Sequence, residues 1–210
     1  GPPTRVEPVP YRQWGEGLES EAVMQMEKAC LLPVAVAGAL MHDAHVCSGL
    51  PIGGVLATEN AVIPYAVGVD IACRMKMTVL DIPVHDLERK QDRLTRAIEA
   101  ETRFGVGVSF RDRRQHDVMD ADWSVSPVTK RNKDKAWSQL GTSGSGNHFV
   151  EFGLFTAHSK INDLEAGTYV ALLSHSGSRG TGAAVCDHYS KLAFGRCRSS
   201  LPSELLRLAW

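Results

Sequence analysis

The chain alternates short apolar runs with four polar segments rich in glycine, and this pattern strongly limits its fold. The polar segments are residues 41–54, 68–73, 141–148 and 174–182. The neighbouring runs of Val, Ile, Leu and Ala have the length of strands and end at turn residues. The pattern therefore predicts short strands that lead into polar, glycine-rich loops, and the sequence shows no internal repeat.

The overall composition is that of an ordinary globular protein. The 210 residues are 43% hydrophobic and 22% charged, with a net charge of −1. This apolar content excludes a disordered chain, and the neutral balance excludes a polycation that holds nucleic acid by charge alone. Five cysteines without a C-x-x-C pair disfavour a disulfide scaffold, and no run reaches about 18 apolar residues. We therefore expect a protein of the cytoplasm.

Periodicity and turn residues predict the elements. Residues 1–16, rich in proline, are predicted to form an extended lead-in, followed by a helix over 17–31. Strands are predicted at 53–58, 67–72, 75–82, 148–155 and 168–174. Further helices are predicted at 86–101, at 183–194 and after Pro202. The last helix stops at Trp210 without a cap, which predicts a chain that is incomplete at its C-terminus.

The first two polar segments contain candidate metal ligands. Asp43 lies between His42 and His45 and precedes several glycines, which suits a metal or phosphate site, although a polar turn before a strand explains it equally well. Asp70 and Cys73 could give a carboxylate oxygen and a thiolate to one metal or a metal pair. The alternative is a capping aspartate and a core cysteine.

The third segment combines backbone N–H groups with two metal- or phosphate-binding side chains. Its glycine–serine loop could line an anion, while Asn147 offers an amide and His148 is a ligand suited to transition metals. A flexible loop with a histidine at the strand edge is the alternative.

The fourth segment lies between a strand and a helix, where helix N-termini hold phosphate. Arg179 could bind that phosphate together with hydroxyl groups, and His175 could reach a metal beside it. The hydroxyl candidates are Ser176, Ser178 and Thr181. The four segments together indicate a transition-metal site beside a phosphate site, and hence metal-assisted phosphoryl or nucleotidyl chemistry.

In this order, the four segments resemble the RtcB-type RNA-splicing ligases over roughly residues 25–190. The matching strings are DAH with GLPIGG, then GVDIAC, GSGNHF and HSGSRG. The resemblance implies an α+β fold with mixed sheets in a central β-sandwich-like core flanked by helices, forming one catalytic domain over 17–210. It also implies an RNA ligase that uses GTP and manganese in tRNA splicing and RNA repair. Such ligases join RNA ends bearing a 3′-phosphate or 2′,3′-cyclic phosphate to 5′-hydroxyl ends.

The resemblance also assigns roles to individual residues. Its implied manganese ligands are Asp70, Cys73, His148 and His175, with the Cys73 thiolate bridging two ions. Asn147 would contact the guanylate, Arg179 would bind an RNA or nucleotide phosphate, and Asp43 would support the same site.

The sequence departs from the family pattern at three positions, and it leaves one role unassigned. His42, Cys47 and Arg74 replace residues that the family usually has at these positions. The histidine that carries GMP in this family lies beyond the last matching segment, so no residue here is assigned to it. Two other functions therefore stay open: an inactive protein that binds metal or nucleotide, and a metal-dependent RNA-end phosphatase or nuclease.

Overall fold

The computed structural model describes residues 4–210, which contain both helices and strands. The strands are β1 (Tyr11–Gln13), β2 (Ala35–His45), β3 (Ile52–Thr58), β4 (Arg74–Leu80), β5 (Phe149–Ala157) and β6 (Gly167–Ser176). The helices are α1 (Ser20–Cys30), α2 (Pro64–Val67), α3 (Asp86–Arg89), α4 (Gln91–Glu101), α5 (Pro127–Gln139) and α6 (Arg179–Cys197). Short 3-10 helices occupy Asp117–Met119, Trp123–Val125 and Ser203–Leu208. The predicted α+β class is thus confirmed.

The chain divides into two compact units. The first comprises Gly1–Val69 with Val185–Trp210, and the second comprises Asp70–Ala184. Two compact units can belong to one domain, so the single catalytic domain over 17–210 stays a prediction. The sandwich-like core also stays a prediction, as does the incomplete C-terminus.

The first unit contains a three-stranded mixed sheet of order β1-β2-β3. Strand β1 runs parallel to β2, and β3 pairs antiparallel with β2. Helix α1 turns Ala22, Met26 and Ala29 inward because they recur at the helical spacing of one face. Met26 and Ala29 share a core with Leu40 of β2 and Leu208 of the C-terminal 3-10 helix.

The second unit contains an antiparallel sheet of order β4-β6-β5. His175 of the central strand pairs with Met75 of β4 on one side and with Phe149 of β5 on the other. This register brings the start of β4, the start of β5 and the end of β6 to the same edge of the sheet. The polar segments that adjoin these strands consequently meet at that edge.

Most predicted elements appear close to their predicted positions. The structure confirms the helix at 17–31 as α1, and the strands at 53–58, 75–82, 148–155 and 168–174 as β3 to β6 within a few residues. The helix predicted at 183–194 is longer, and the helix predicted after Pro202 is a 3-10 helix. The helix predicted over 86–101 is divided at Lys90, whose φ of −122° departs from helical values, into α3 and α4.

The strand predicted at 67–72 is wrong. Pro64 begins the single helical turn α2, and Gly68, with φ 112°, ends it. The following residues form a turn in which the Cys73 N–H donates to the Asp70 carbonyl. The apolar side chains of Val67 and Val69 are exposed rather than buried in a sheet. The apolar run thus signals neither a strand nor a core segment.

The predicted extended lead-in covers residues 1–16. Residues 1–3 lie outside the described part, and β1 lies within the remainder. In residues 4–210, no helix is both long enough and apolar enough to cross a membrane.

Candidate metal centre

Three side chains from separate parts of the second unit converge at one edge of its sheet. Cys73 ends the turn before β4, His148 immediately precedes β5, and His175 lies on β6. One ligand atom from each of these three residues lies within 4.8 Å of the others. The antiparallel register brings them together, because β6 pairs with both β4 and β5 at this edge.

The contacts within this cluster are close. The Cys73 sulfur lies 2.8 Å from Nε2 of His175 and 3.9 Å from Nε2 of His148. The two imidazole rings meet edge to face with their centres 5.1 Å apart, and the Phe149 ring also meets the His175 ring edge to face, with centres 5.7 Å apart. Two nitrogens and one sulfur therefore face a common point.

Hydrogen bonds to backbone carbonyls orient both imidazoles. Nδ1 of His148 lies 3.0 Å from the Ser143 carbonyl oxygen, and Nδ1 of His175 lies 3.0 Å from the Asn147 carbonyl oxygen. A carbonyl oxygen can only accept a hydrogen bond, so each Nδ1 must carry the proton. In the neutral ring the lone pair is then on Nε2, which faces the cluster in both cases. Metal-binding histidines are commonly held in this way.

Asp70 extends the set of donor atoms. Its Oδ2 lies 3.2 Å from Nε2 of His148, while its Oδ1 accepts hydrogen bonds from the N–H and the hydroxyl of Ser178, both at 2.7 Å. Burial raises the pKa of Asp70, but the Ser178 hydrogen bonds, a backbone bond from Ala72 and nearby His148 outweigh it and lower the pKa overall. The carboxylate and the neutral imidazole are both acceptors, so a proton or a metal ion between them would satisfy both.

The Cys73 thiol is not activated by its protein surroundings alone. Burial raises its pKa, and the nearby Asp70 carboxylate raises it further. A bound cation would lower the pKa of this thiol, because metals bind the thiolate form. The described donors are therefore one thiol, two imidazole nitrogens and an adjacent carboxylate, a set that fits a divalent transition metal.

Two glycines leave the space that the cluster needs. At Gly144, with φ +93°, a Cβ atom would overlap the Arg179 guanidinium and the His148 ring. At Gly177 a Cβ atom would overlap the Asp70 carboxylate. The Gly-rich loops thus let these side chains approach the backbone closely.

Arg179 begins α6 beside this cluster in an unusual conformation. Its φ of 53° lies in the left-handed region, which a non-glycine residue rarely adopts and which often marks a functional position. Its Nε donates to the Thr142 hydroxyl at 3.2 Å, and its Nη2 donates to the Gly105 carbonyl at 3.5 Å. Since a guanidinium carries five N–H groups, further donors are available for an anion.

The loop around Gly105 contributes to the site in a way that the sequence did not predict. The Gly105 N–H donates to the Gly144 carbonyl at 2.7 Å, and Phe104 forms an isolated bridge with Gly144. The adjoining Gly107 was a signal, because closely spaced glycines suggest close backbone approach.

Two further residues with predicted roles, Asn147 and Asp43, are both exposed. Asn147 is exposed, and its carbonyl orients His175. Asp43 is exposed and lies on β2 in the first unit, where its backbone carbonyl accepts a hydrogen bond from Nδ1 of His45.

The three hydroxyls predicted to bind phosphate have different surroundings. Ser178 donates to Asp70, and Ser176 donates to the carbonyls of residues 142 and 143. Within residues 4–210, Oγ1 of Thr181 is buried without a hydrogen-bond partner.

The fold and the donor cluster define an α+β protein with a candidate transition-metal site, and comparison with known proteins identifies its family. The family model described as tRNA-splicing ligase RtcB matches residues 25–125 and 118–208. RNA-splicing ligase RtcB of Escherichia coli strain K12 is 30% identical over 205 residues, covering 89% of this chain and 48% of the relative. The tRNA-splicing ligase RtcB of Archaeoglobus fulgidus is 31% identical over 214 residues, covering 82% of this chain and 44% of the relative.

The chain therefore belongs to the RtcB family, as its polar segments predict. It spans less than half the length of these two relatives.

Proposed function

We propose that this chain provides the metal centre and a phosphate-binding arginine of a GTP- and manganese-dependent RNA ligase. The reaction would join an RNA end with a 3′-phosphate or 2′,3′-cyclic phosphate to a 5′-hydroxyl end. Family membership and the names of the relatives support RNA ligation. The observation that carries the proposal is the convergence of Cys73, His148 and His175.

Manganese would be held by Cys73, His148 and His175, with Asp70 as the carboxylate ligand. The pre-oriented Nε2 atoms and the carboxylate held by Ser178 support this assignment. When bound, the metal would offset negative charge on the reacting phosphates. The preference for manganese over zinc, iron or cobalt, and a second ion sharing Cys73, rest on the family resemblance.

Arg179 would bind an RNA or nucleotide phosphate with the N–H groups that Thr142 and Gly105 do not occupy. Asn147 would contact the guanylate through its exposed side-chain amide, while its carbonyl keeps His175 in place. Asp43 would support the same reaction. These roles follow the family pattern at matching positions.

The first experiment measures manganese binding by the rise in melting temperature. A metal that binds only the folded state stabilises it by about 2.7 kcal/mol at 100 times its Kd. We expect this shift for the wild-type chain and its loss in Cys73→Ala. Cys47→Ala is a matched control, since Cys47 is an exposed cysteine of the first unit. No shift in the wild-type chain would overturn the proposed metal centre.

The second experiment identifies the reaction. The chain is incubated with manganese and RNA ends, with and without GTP, and the products are separated on a denaturing gel. On this chain alone we expect no covalent GMP, because none of its eight histidines is assigned as the nucleophile. A GMP adduct that survives denaturation would contradict this expectation. Hydrolysed ends without GTP would indicate a phosphatase or nuclease, and metal binding with unchanged RNA would fit a binding role.

A further inference from the structure

Helix α5 presents exposed cations in the same unit as the candidate metal centre. It has four basic residues and only one acidic residue, Asp134. The Arg113 guanidinium forms a salt bridge with that carboxylate, with Nη1 2.7 Å from Oδ1, and it also lies over the Trp137 ring. In the part of the chain that the structure describes, Arg131 and Lys135 form no ion pair. Both are exposed.

The C-terminal end of α5 is joined to the start of α6, where Arg179 lies. The buried Gln139 accepts a hydrogen bond from the Gly180 N–H through its side-chain oxygen at 3.2 Å. Lys135, one turn before Gln139, extends over Gly180, so that a Cβ atom there would lie 2.7 Å from its Nζ. The Lys135 ammonium is therefore placed beside the residue that follows Arg179.

Arg131 continues this arrangement away from the metal centre. It lies four residues before Lys135, so the two side chains share a helix face with their Cβ atoms about 5–6 Å apart. Arg179 at the start of α6 is thus followed by Lys135 and then Arg131 along one face of α5, and we call these three cationic residues the α5 track. Neighbouring cations without carboxylate partners repel one another, and phosphates between them would relieve that repulsion.

We propose that the α5 track binds the backbone phosphates of the RNA strand whose end reacts at the metal centre. This inference rests on the proposed function, and it adds where the strand runs next to its reacting end. The track extends along a helix face instead of converging on one point. That shape suits successive phosphates of a strand better than the clustered phosphates of a free nucleotide.

Salt dependence of RNA binding tests this proposal directly. Each phosphate contact on single-stranded nucleic acid contributes about 0.7 to the slope of log K against log salt. Fluorescence anisotropy of a labelled single-stranded RNA with a 3′-phosphate, between about 50 and 200 mM salt, gives that slope. We expect it to shrink by about 0.7 in Lys135→Gln and by about 1.4 in Arg131→Gln/Lys135→Gln. Circular dichroism melts verify that both variants fold.

Lys160→Gln is the matched control because it removes the same charge elsewhere in the second unit. Lys160 pairs with Glu165 in the connection between β5 and β6. The strand pairing from Phe149 to Ala157 separates this connection from the metal-centre edge by about 27 Å. We expect the slope of this variant to equal that of the wild-type chain.

Several outcomes would overturn the proposal. They are an unchanged slope in the double variant, an equal loss in Lys160→Gln, and no RNA binding by the wild-type chain at low salt. A parallel titration with GTP separates the two sources of phosphate: weakened GTP binding with unchanged RNA binding would assign the cations to the nucleotide. All titrations omit manganese. A failed α5 track is therefore distinguishable from a failed metal centre, which the manganese-dependent melting shift reports.

Discussion

Removing the Ser178 hydroxyl should weaken manganese binding without removing any proposed ligand. The hydroxyl and the backbone N–H of Ser178 each donate to Oδ1 of Asp70 at 2.7 Å. The other oxygen, Oδ2, lies 3.2 Å from Nε2 of His148. Ser178 thus fixes the orientation in which Asp70 would face the metal. Ser178→Ala removes the hydroxyl donor and leaves the backbone donor in place.

The expected loss can be worked out from these contacts. A hydrogen bond to a charged group contributes about 1.5–3 kcal/mol when well buried. The Asp70 side chain is 33% exposed, so solvent screening reduces this to about 1–2 kcal/mol. If most of that energy orients the carboxylate for the metal, the Kd for manganese should rise about tenfold, which equals about 1.4 kcal/mol. Such losses are typical when a group that orients a ligand is removed.

Isothermal titration calorimetry with manganese measures this change. Ser159→Ala is the control, because Ser159 is an exposed serine in the connection after β5. The control should bind manganese as tightly as the wild-type chain. An unchanged Kd in Ser178→Ala, together with a lower melting temperature, would show that the hydroxyl bond stabilises the fold and does not orient Asp70 for the metal.

Two further predictions concern stability. Gly38→Ala should lower the free energy of unfolding, measured in urea, by about 1–3 kcal/mol, because the added Cβ atom would overlap the fully buried Met26 side chain. Gly153→Ala is the control and should not lower it, because the described residues leave open space there. Equal losses in the two variants would refute the packing argument. Asp86→Asn should lower the melting temperature at neutral pH. The hydrogen bond from Lys90 lowers the pKa of Asp86, so the ionised carboxylate stabilises the fold at pH values above the ordinary aspartate pKa. That advantage is lost as the pH falls through the lowered pKa, so melting curves of the two proteins should converge in acid; a constant difference would contradict the assignment.

The sequence singled out Cys73, His148 and His175, which the structure brings together, because these residues lie next to recognisable strands. Short apolar runs indicate β5 and β6, His148 immediately precedes β5, and His175 lies near the end of β6. The register that places His175 between Met75 and Phe149 was not predictable, because it depends on strand pairing across distant parts of the chain. The hydrogen bond from Ser178 to Asp70 could not be predicted either. Serine beside a helix start is as compatible with a phosphate ligand as with a carboxylate partner.

Among the elements that were not predicted, strand β2 and helix α5 were missed for different physical reasons. Strand β2 is rich in Ala and Gly, which have low strand propensity, so its apolar run carried little signal. Helix α5 is strongly polar and shows little amphipathic pattern, but its start did carry a signal. Ser126 accepts a hydrogen bond from the Val128 N–H, and Pro127 follows it at the first helical position. That pair could have located the helix.

The central claim is that Cys73, His148 and His175 bind a metal ion. Electron paramagnetic resonance of the manganese that remains free in solution tests it most directly, with the wild-type chain compared with Cys73→Ala and Cys47→Ala. We predict binding by the wild-type chain and by Cys47→Ala, and binding about tenfold weaker or worse in Cys73→Ala. No binding by the wild-type chain, or equal binding by all three proteins, would contradict the account.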